Sequence, residues 1–207
     1  MKQNFRPISF LAAASKLLES IVYEQLYKHL ERFSLLPISQ HGFRKNHSTF
    51  TAITTIFSHW LEQKEKGKST GILCFDLSSA FDLLQPELFC SKLHIMGGSL
   101  QAVHWFKSYL SDRKQRVKVG STYSDTICTN LGSPQGGLLS PLIFIIFISD
   151  LEDWLHFSKP LTYADDTSIA CSGDDAEVKN MLELDAANVL SFMASNGLVA
   201  NADMHCV

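Results

Sequence analysis

Pro160-Leu161-Thr162-Tyr163-Ala164-Asp165-Asp166-Thr167-Ser168-Ile169-Ala170-Cys171-Ser172 reads as strand, tight turn, strand, with two adjacent aspartates at the turn. Turns favour Asp for ordinary reasons, so an Asp-Asp pair alone decides little. The flanks decide more: Leu161 and Tyr163 before the turn, and Ile169 and Ala170 after it, predict a mostly buried hairpin. Two neighbouring carboxylates repel one another, and in such a place a divalent cation explains them best.

Working outward, Gly71-Ile72-Leu73-Cys74-Phe75-Asp76 is a short apolar run after a turn signal, predicted to be a buried strand ending in an aspartate. Taken singly, Asp76 or Ser78 serves equally well as a cap for the next turn. Taken with Asp165 and Asp166, it supplies a third carboxylate on a neighbouring strand, the kind of donor that hard, oxygen-loving Mg²⁺ requires. Two such ions about 4 Å apart can activate a hydroxyl and stabilise a leaving pyrophosphate.

The other elements follow from period and punctuation. Leu18, Ile21, Val22, Leu26, Leu30 and Phe33 fall at helical spacing between Ala12 and Phe33. A second helix is predicted from Ser48 to about Lys66, capped by Ser48 or Thr49 and buried through Ile53, Ile56, Phe57 and Trp60. Pro86 suits the first turn of a helix that stops at Gly97-Gly98, and another helix carries Val103, Phe106, Tyr109 and Leu110. Strand-like runs at Arg116–Val119 and Thr126–Asn130 precede a Pro/Gly loop at Ser133–Gly137. Leu138 to Leu155 reads as one apolar helix and Ala176 to Ser195 as an amphipathic one closed by Gly197, followed by a strand at Leu198–Asn201. Strands interleaved with packed helices predict an α+β fold.

The 207 residues, 45% of them hydrophobic with mean hydropathy +0.03, describe a globular chain with a sizeable core. No signal peptide is visible at Met1–Pro7, and the apolar run Leu142–Ile148 is far below the ~18 residues that span a bilayer. Five scattered cysteines without a C-x-x-C pair indicate neither a zinc knuckle nor a disulfide framework. An intracellular setting, cytoplasmic or nuclear, with no membrane partner is expected. The net charge of −3 hides a gradient: residues 1–68 carry ten Lys/Arg and five Asp/Glu, whereas residues 148–207 carry two and eleven. A basic part and an acidic part suit a protein that grips phosphates at one place and cations at another. Chance clustering of solvated charge would leave the same record.

Phe75–Asp82, the loop Ser133-Pro134-Gln135-Gly136-Gly137-Leu138-Leu139-Ser140-Pro141 and Tyr163–Asp166 resemble, in order and spacing, three core motifs of reverse transcriptases. Arg6-Pro7-Ile8-Ser9 with Ser15-Lys16, His41–Lys45 with Ser48-Thr49, and Trp105–Val117 resemble blocks of the non-LTR (LINE-type) retrotransposon enzymes, jockey-like elements in particular. The resemblance covers essentially the whole chain. It implies a right-hand polymerase fold with fingers and palm, an antiparallel sheet with packed helices, and the thumb absent. The expected division is fingers over about 1–70 and palm over 71–207, with a fingers-side insertion near 85–130.

The same resemblance implies RNA-directed DNA synthesis from dNTPs on an RNA template and a DNA primer, with two Mg²⁺ ions that Mn²⁺ can replace. Asp76, Asp165 and Asp166, with the carbonyl of Leu77, would hold the metals. Arg6, Lys16, Ser79, Ala80, Phe81, Gln135 and Gly136 would meet the nucleotide, Phe81 as the gate that excludes a 2′-hydroxyl. Without the motif, Phe81 reads as an ordinary core aromatic. Arg44, Arg113, Lys114 and Arg116 would neutralise template or primer phosphates without reading bases.

Asn196–His205 resembles the following motif, except that Met204 stands where a lysine is usual, a proposed proton donor to pyrophosphate. With the expected lack of a thumb and of a preceding endonuclease, this makes a remnant that only folds or binds nucleic acid the alternative reading. A two-metal nuclease is a third, against which the Ser133–Gly137 loop argues.

Overall fold

The computed structural model describes residues 9–78, 80–200 and 205–206. The chain folds as two compact units that interleave in sequence, Met1–Phe33 with Phe81–Phe147, and Ser34–Ala80 with Ile148–Val207.

The second unit is built on β1 (Ser69–Phe75), β7 (Lys159–Tyr163), β8 (Asp166–Gly173) and β10 (His205–Cys206), in the antiparallel order β10-β1-β8-β7. Along β8 every second residue from Thr167 to Gly173 is buried, the period-2 signature of a sheet with one face in the core. That face meets α7 (Asp175–Ser195): an added Cβ on Gly71 would stand 2.6 Å from a Leu182 methyl and 2.7 Å from a Val178 methyl, so a side chain there would push these groups aside. The opposite face meets α2 (Thr49–Glu65), whose His59 Nε2 lies 3.3 Å from the Ser172 hydroxyl, itself 2.8 Å from Thr70. A two-stranded pair, β2 (Leu77–Ser78) with β9 (Val199–Ala200), carries the chain past Asp76.

Helix α2 starts as expected, at a capping box between Ser48 and Thr51. Its expected buried face does not follow. Ile53 is 66% and Phe57 53% exposed, and Ala52 is the buried residue. Of the expected residues, Ile56 and Trp60 are half-buried, while Ile53 and Phe57 fall to the outer side.

In the first unit, α1 (Ala13–Arg32) buries Leu26, Tyr27 and Leu30, while Leu18, Ile21 and Phe33 of the expected stripe are exposed. Helices α4 (Pro86–Ile95) and α5 (Leu100–Leu110) pack together, with Phe89 edge-on to Phe106 at 5.3 Å. Between α2 and α4 the chain passes from the second unit to the first within the short α3 (Ala80–Leu83). The core of this unit is α6 (Ser140–Phe147), buried at every position described except Pro141.

The expected single helix over 138–155 is corrected by α6, which ends at Phe147. Lys92 Nζ donates to the Phe147 carbonyl at 2.6 Å and lies over its ring at 5.1 Å, so a cation terminates the helix. The chain tightens beyond it, with Leu151 N bonding Ile148 O and a 3₁₀ turn at Leu151–Trp154. The expected strands after α5 are four short ones: β3 (Arg113–Gln115) with β6 (Ile127–Thr129), and β4 (Lys118–Val119) with β5 (Thr122–Tyr123).

Candidate active site

The register of the four-stranded sheet brings Asp76, Asp165 and Asp166 to the same end of it. Asp76 follows the last residue of β1, and Phe75 pairs with Thr167, the neighbour of Asp166 on β8. Tyr163 pairs with Asp166, so Ala164 and Asp165 form a two-residue hairpin turn. Ala164 has φ +59°, the left-handed region that two-residue hairpin turns demand and that a Cβ disfavours. The hairpin is less buried at its tip than expected. Asp76 and Asp166 are exposed and Asp165 half-buried, because the strand alternation turns the polar positions outward.

Among the described residues no three His, Cys, Asp or Glu side chains stand close enough to hold one ion between them. Mg²⁺ is usually bound through one or two carboxylates, with waters and substrate phosphates completing its octahedron. Hard, solvent-facing oxygen donors at a strand end therefore fit an ion that arrives with a triphosphate, not a closed protein cage.

The turn is braced by a residue the sequence reading passed over. Gln40 is 1% exposed, and its side-chain Oε1 accepts from Ala164 N at 2.9 Å. The available signal was its place just before the His41–Lys45 block, but its partner lies 124 residues away. His41, beside it, is buried and sits 3.0 Å from the Thr51 hydroxyl. Burial, with His47 and Arg44 nearby, pushes its imidazole below the usual range. Arg44 has a local occupation: it donates to the carbonyls of Pro37 at 2.5 Å and Gln40 at 3.3 Å, while its Nε is buried without a partner.

In the first unit, the Ser133–Gly137 loop is docked on α3. Gly132 N donates to Leu84 O at 2.7 Å and Ser133 N to Phe81 O at 2.8 Å. Gly132 has φ +76° and an added Cβ would meet Asp82 O at 2.7 Å, so only glycine fits. Gln135 Nε2 donates to both Asp82 oxygens at 2.7 Å, which gives Asp82 a structural task. Phe81 is half-buried with its ring 4.9 Å from that of Phe144, Ala80 is buried, and Gly136 is exposed at φ +93°. Glu19, 2% exposed, fastens the far end of the loop by accepting from Leu138 N at 2.6 Å and from Tyr109 OH at 2.8 Å. Burial first, and then this bond, push the Tyr109 phenol far up, so it stays a donor at any working pH.

Glu19→Ala leaves a backbone N–H and a phenol without their acceptor. It is expected to cost about 2–3 kcal/mol of stability, read as a lowered urea midpoint at unchanged slope. An unchanged midpoint would show that water replaces the carboxylate at no cost.

On the ribbons beyond α5, Lys114, Arg116 and Lys118 are exposed, and Arg116 lies 4.2 Å from the Tyr123 ring centre. Arg113 is different. Half-buried, it donates to the carbonyls of Leu131 at 2.5 Å, Gly132 at 2.9 Å and Leu110 at 3.3 Å. Lys16 is exposed on α1. Arg6, Ser79 and Met204 lie outside the described residues. No helix among the described residues is long and apolar enough to cross a membrane.

The family model described as reverse transcriptase (RNA-dependent DNA polymerase) matches residues 1–203. A relative described as a probable RNA-directed DNA polymerase from transposon BS of Drosophila melanogaster is 31% identical over 181 residues, 83% of this chain and 20% of that protein. The RNA-directed DNA polymerase from mobile element jockey of Drosophila funebris is 29% identical over 80% of this chain and 19% of its own length. The chain thus spans about a fifth of the length of these curated relatives. Among solved structures, apo telomerase from Candida tropicalis superposes with a TM-score of 0.67 at 14% identity, over 91% of this chain and 40% of that one. Telomerase from Candida albicans gives 0.64 at 16% identity, over 93% and 34%. These likenesses show the fold, helices and antiparallel sheets in the fingers-and-palm arrangement of polymerases. With the family model matched along nearly its full length, the chain belongs to the reverse transcriptase family.

Proposed function

We propose that this chain is the fingers-and-palm part of an RNA-directed DNA polymerase of a mobile element, joining dNTPs to a primer 3′-hydroxyl on an RNA template. The observation that carries the reading is the register Phe75–Thr167, which sets Asp76 beside the Asp165-Asp166 turn. In this reading Asp76, Asp165, Asp166 and the Leu77 carbonyl hold two Mg²⁺ ions, for which Mn²⁺ can substitute. Bound there, the metal would lower the pKa of the primer hydroxyl and offset charge on the leaving pyrophosphate. The division into fingers over about 1–70 and palm over 71–207 belongs to the same proposal.

Arg6 and Lys16 attract the triphosphate by charge. Ser79, Ala80, Gln135 and Gly136 line the nucleotide, glycine allowing close backbone approach. Phe81 excludes the 2′-hydroxyl, its ring backed by that of Phe144. Phe81→Ala should therefore lower dNTP-over-NTP preference by on the order of 10-fold in single-nucleotide competition. Unaltered preference would remove Phe81 from that role.

Lys114 and Arg116, joined by Lys118, offer exposed charge for template or primer phosphates. The guanidinium contacts of Arg44 and Arg113 support a shaping role for these two, with phosphate contact secondary. Extension of oligo(dT) on poly(rA) with dTTP and Mg²⁺ tests the main reading. Absence of product with retained RNA binding would favour a second one, a non-catalytic binder, to which Met204 in place of the usual lysine points.

A further inference from the structure

We infer that Gln40 is a positioning residue for the aspartate pair: its buried carboxamide fixes the conformation of the Ala164–Asp165 turn and so where the two carboxylates stand. The inference rests on the reading of Asp165 and Asp166 as metal-holding groups.

One side chain serves both backbone polar groups of Ala164. Gln40 Oε1 accepts from Ala164 N at 2.9 Å, and its Nε2 donates to Ala164 O at 3.3 Å. The same Oε1 accepts from Gly42 N at 2.7 Å, so the carboxamide is also locked to its own segment. Ala164 sits in the turn, beyond the Tyr163–Asp166 pair that closes the ladder. Its φ of +59° is one that a residue with a Cβ resists. Two adjacent carboxylates that repel one another add to the tendency of this turn to relax.

The brace itself is anchored. His41 N donates to Thr162 O at 2.8 Å and Thr162 N to Ser39 O at 2.9 Å, so residues 39–41 run as a parallel edge partner of β7. Gly42 permits the approach: an added Cβ there would lie 2.2 Å from Ala164 N. Arg44 donates to the Pro37 and Gln40 carbonyls of the same segment. The side chain must both accept and donate. A glutamate in its place would set an acceptor against the Ala164 carbonyl and add charge beside the aspartates, and a methionine would offer neither bond.

The test compares the unsubstituted chain, Asp165→Asn and Gln40→Met. Mn²⁺ binding is followed through the free-ion paramagnetic resonance signal, and amide hydrogen exchange is followed residue by residue. In Gln40→Met, exchange at Ala164 should rise at least about 10-fold and Mn²⁺ affinity fall at least about 5-fold, while the amides of the β1–β8 ladder keep their protection. Gln40→Asn, which keeps a carboxamide but withdraws it by one carbon, carries the same expectation should Gln40→Met fail to fold. Mn²⁺ binding abolished by Asp165→Asn but unchanged in the Gln40 variants would overturn the inference alone. Loss of protection throughout the sheet would make Gln40 a general structural residue and overturn it as well. No Mn²⁺ binding by the unsubstituted chain would sink the metal reading, and this inference with it.

Discussion

Asp165→Asn is expected to reduce primer extension by about 1,000-fold or more while leaving the thermal midpoint where it was or slightly higher. The substitution is isosteric and leaves the backbone of the turn untouched, so the pairing of Tyr163 with Asp166 should persist. It removes the negative charge next to that of Asp166 in the turn. Losing a charged metal-holding group costs several kcal/mol of transition-state stabilisation, and each ~1.4 kcal/mol is a factor of ten in rate. Stability should move the other way, because adjacent like charges oppose the folded turn and the substitution relieves one of them. Asp125→Asn, on the exposed ribbon segment, serves as the control for a lost carboxylate elsewhere. Extension above a tenth of the unsubstituted rate in Asp165→Asn would exclude this carboxylate from the chemistry. A collapse of the melting transition would reassign it to the fold.

What could be read in advance depended on how far apart the deciding groups lie in sequence. The Pro160–Ser172 hairpin carries its own alternation and turn. Helix α2 carries its own cap at Ser48, and α4 its own proline start, so all three were legible. The end of α6 was not, because the cation that terminates it is Lys92, 55 residues earlier. Nor was the outward face of α2, because an apolar residue at helical spacing faces the core only if some other element arrives to cover it. The candidate site divides in the same way. The motif residues named themselves, whereas Gln40 and Glu19 act through partners 124 and 119 residues away and carry no local signature. Charge was visible at Arg44 and Arg113, but its destination, main-chain carbonyls in both cases, was not.

The last expectation concerns a carboxylate outside the motifs, Asp185 on α7. It is fully buried and accepts three successive backbone N–H groups, from His156 at 2.9 Å, Phe157 at 2.9 Å and Ser158 at 2.6 Å. These residues lead directly into β7, so the contact ties the approach to the aspartate hairpin onto the helix behind the sheet. Burial opposes ionisation, but the three N–H donors outweigh it and hold the carboxyl below its ordinary range. In Asp185→Asn the new amide group must point donor at donor. Because each bond to a charged acceptor is worth about 1.5–3 kcal/mol, the substitution should cost about 3–5 kcal/mol at pH 7. That corresponds to a fall of roughly 6–20 °C in Tm for a chain of this size. The pH dependence has a definite sign. A folded-state pKa below the unfolded value of about 3.9 contributes stability that is full above that value and is lost as pH falls through the folded pKa. The stability gap between the unsubstituted chain and Asp185→Asn should therefore be constant from pH 7 to 5 and narrow below about pH 4. Urea denaturation at pH 7, 5 and 3.5 measures it, and a gap that stays the same at all three would mean that the ionised form of Asp185 is not what the three N–H groups hold.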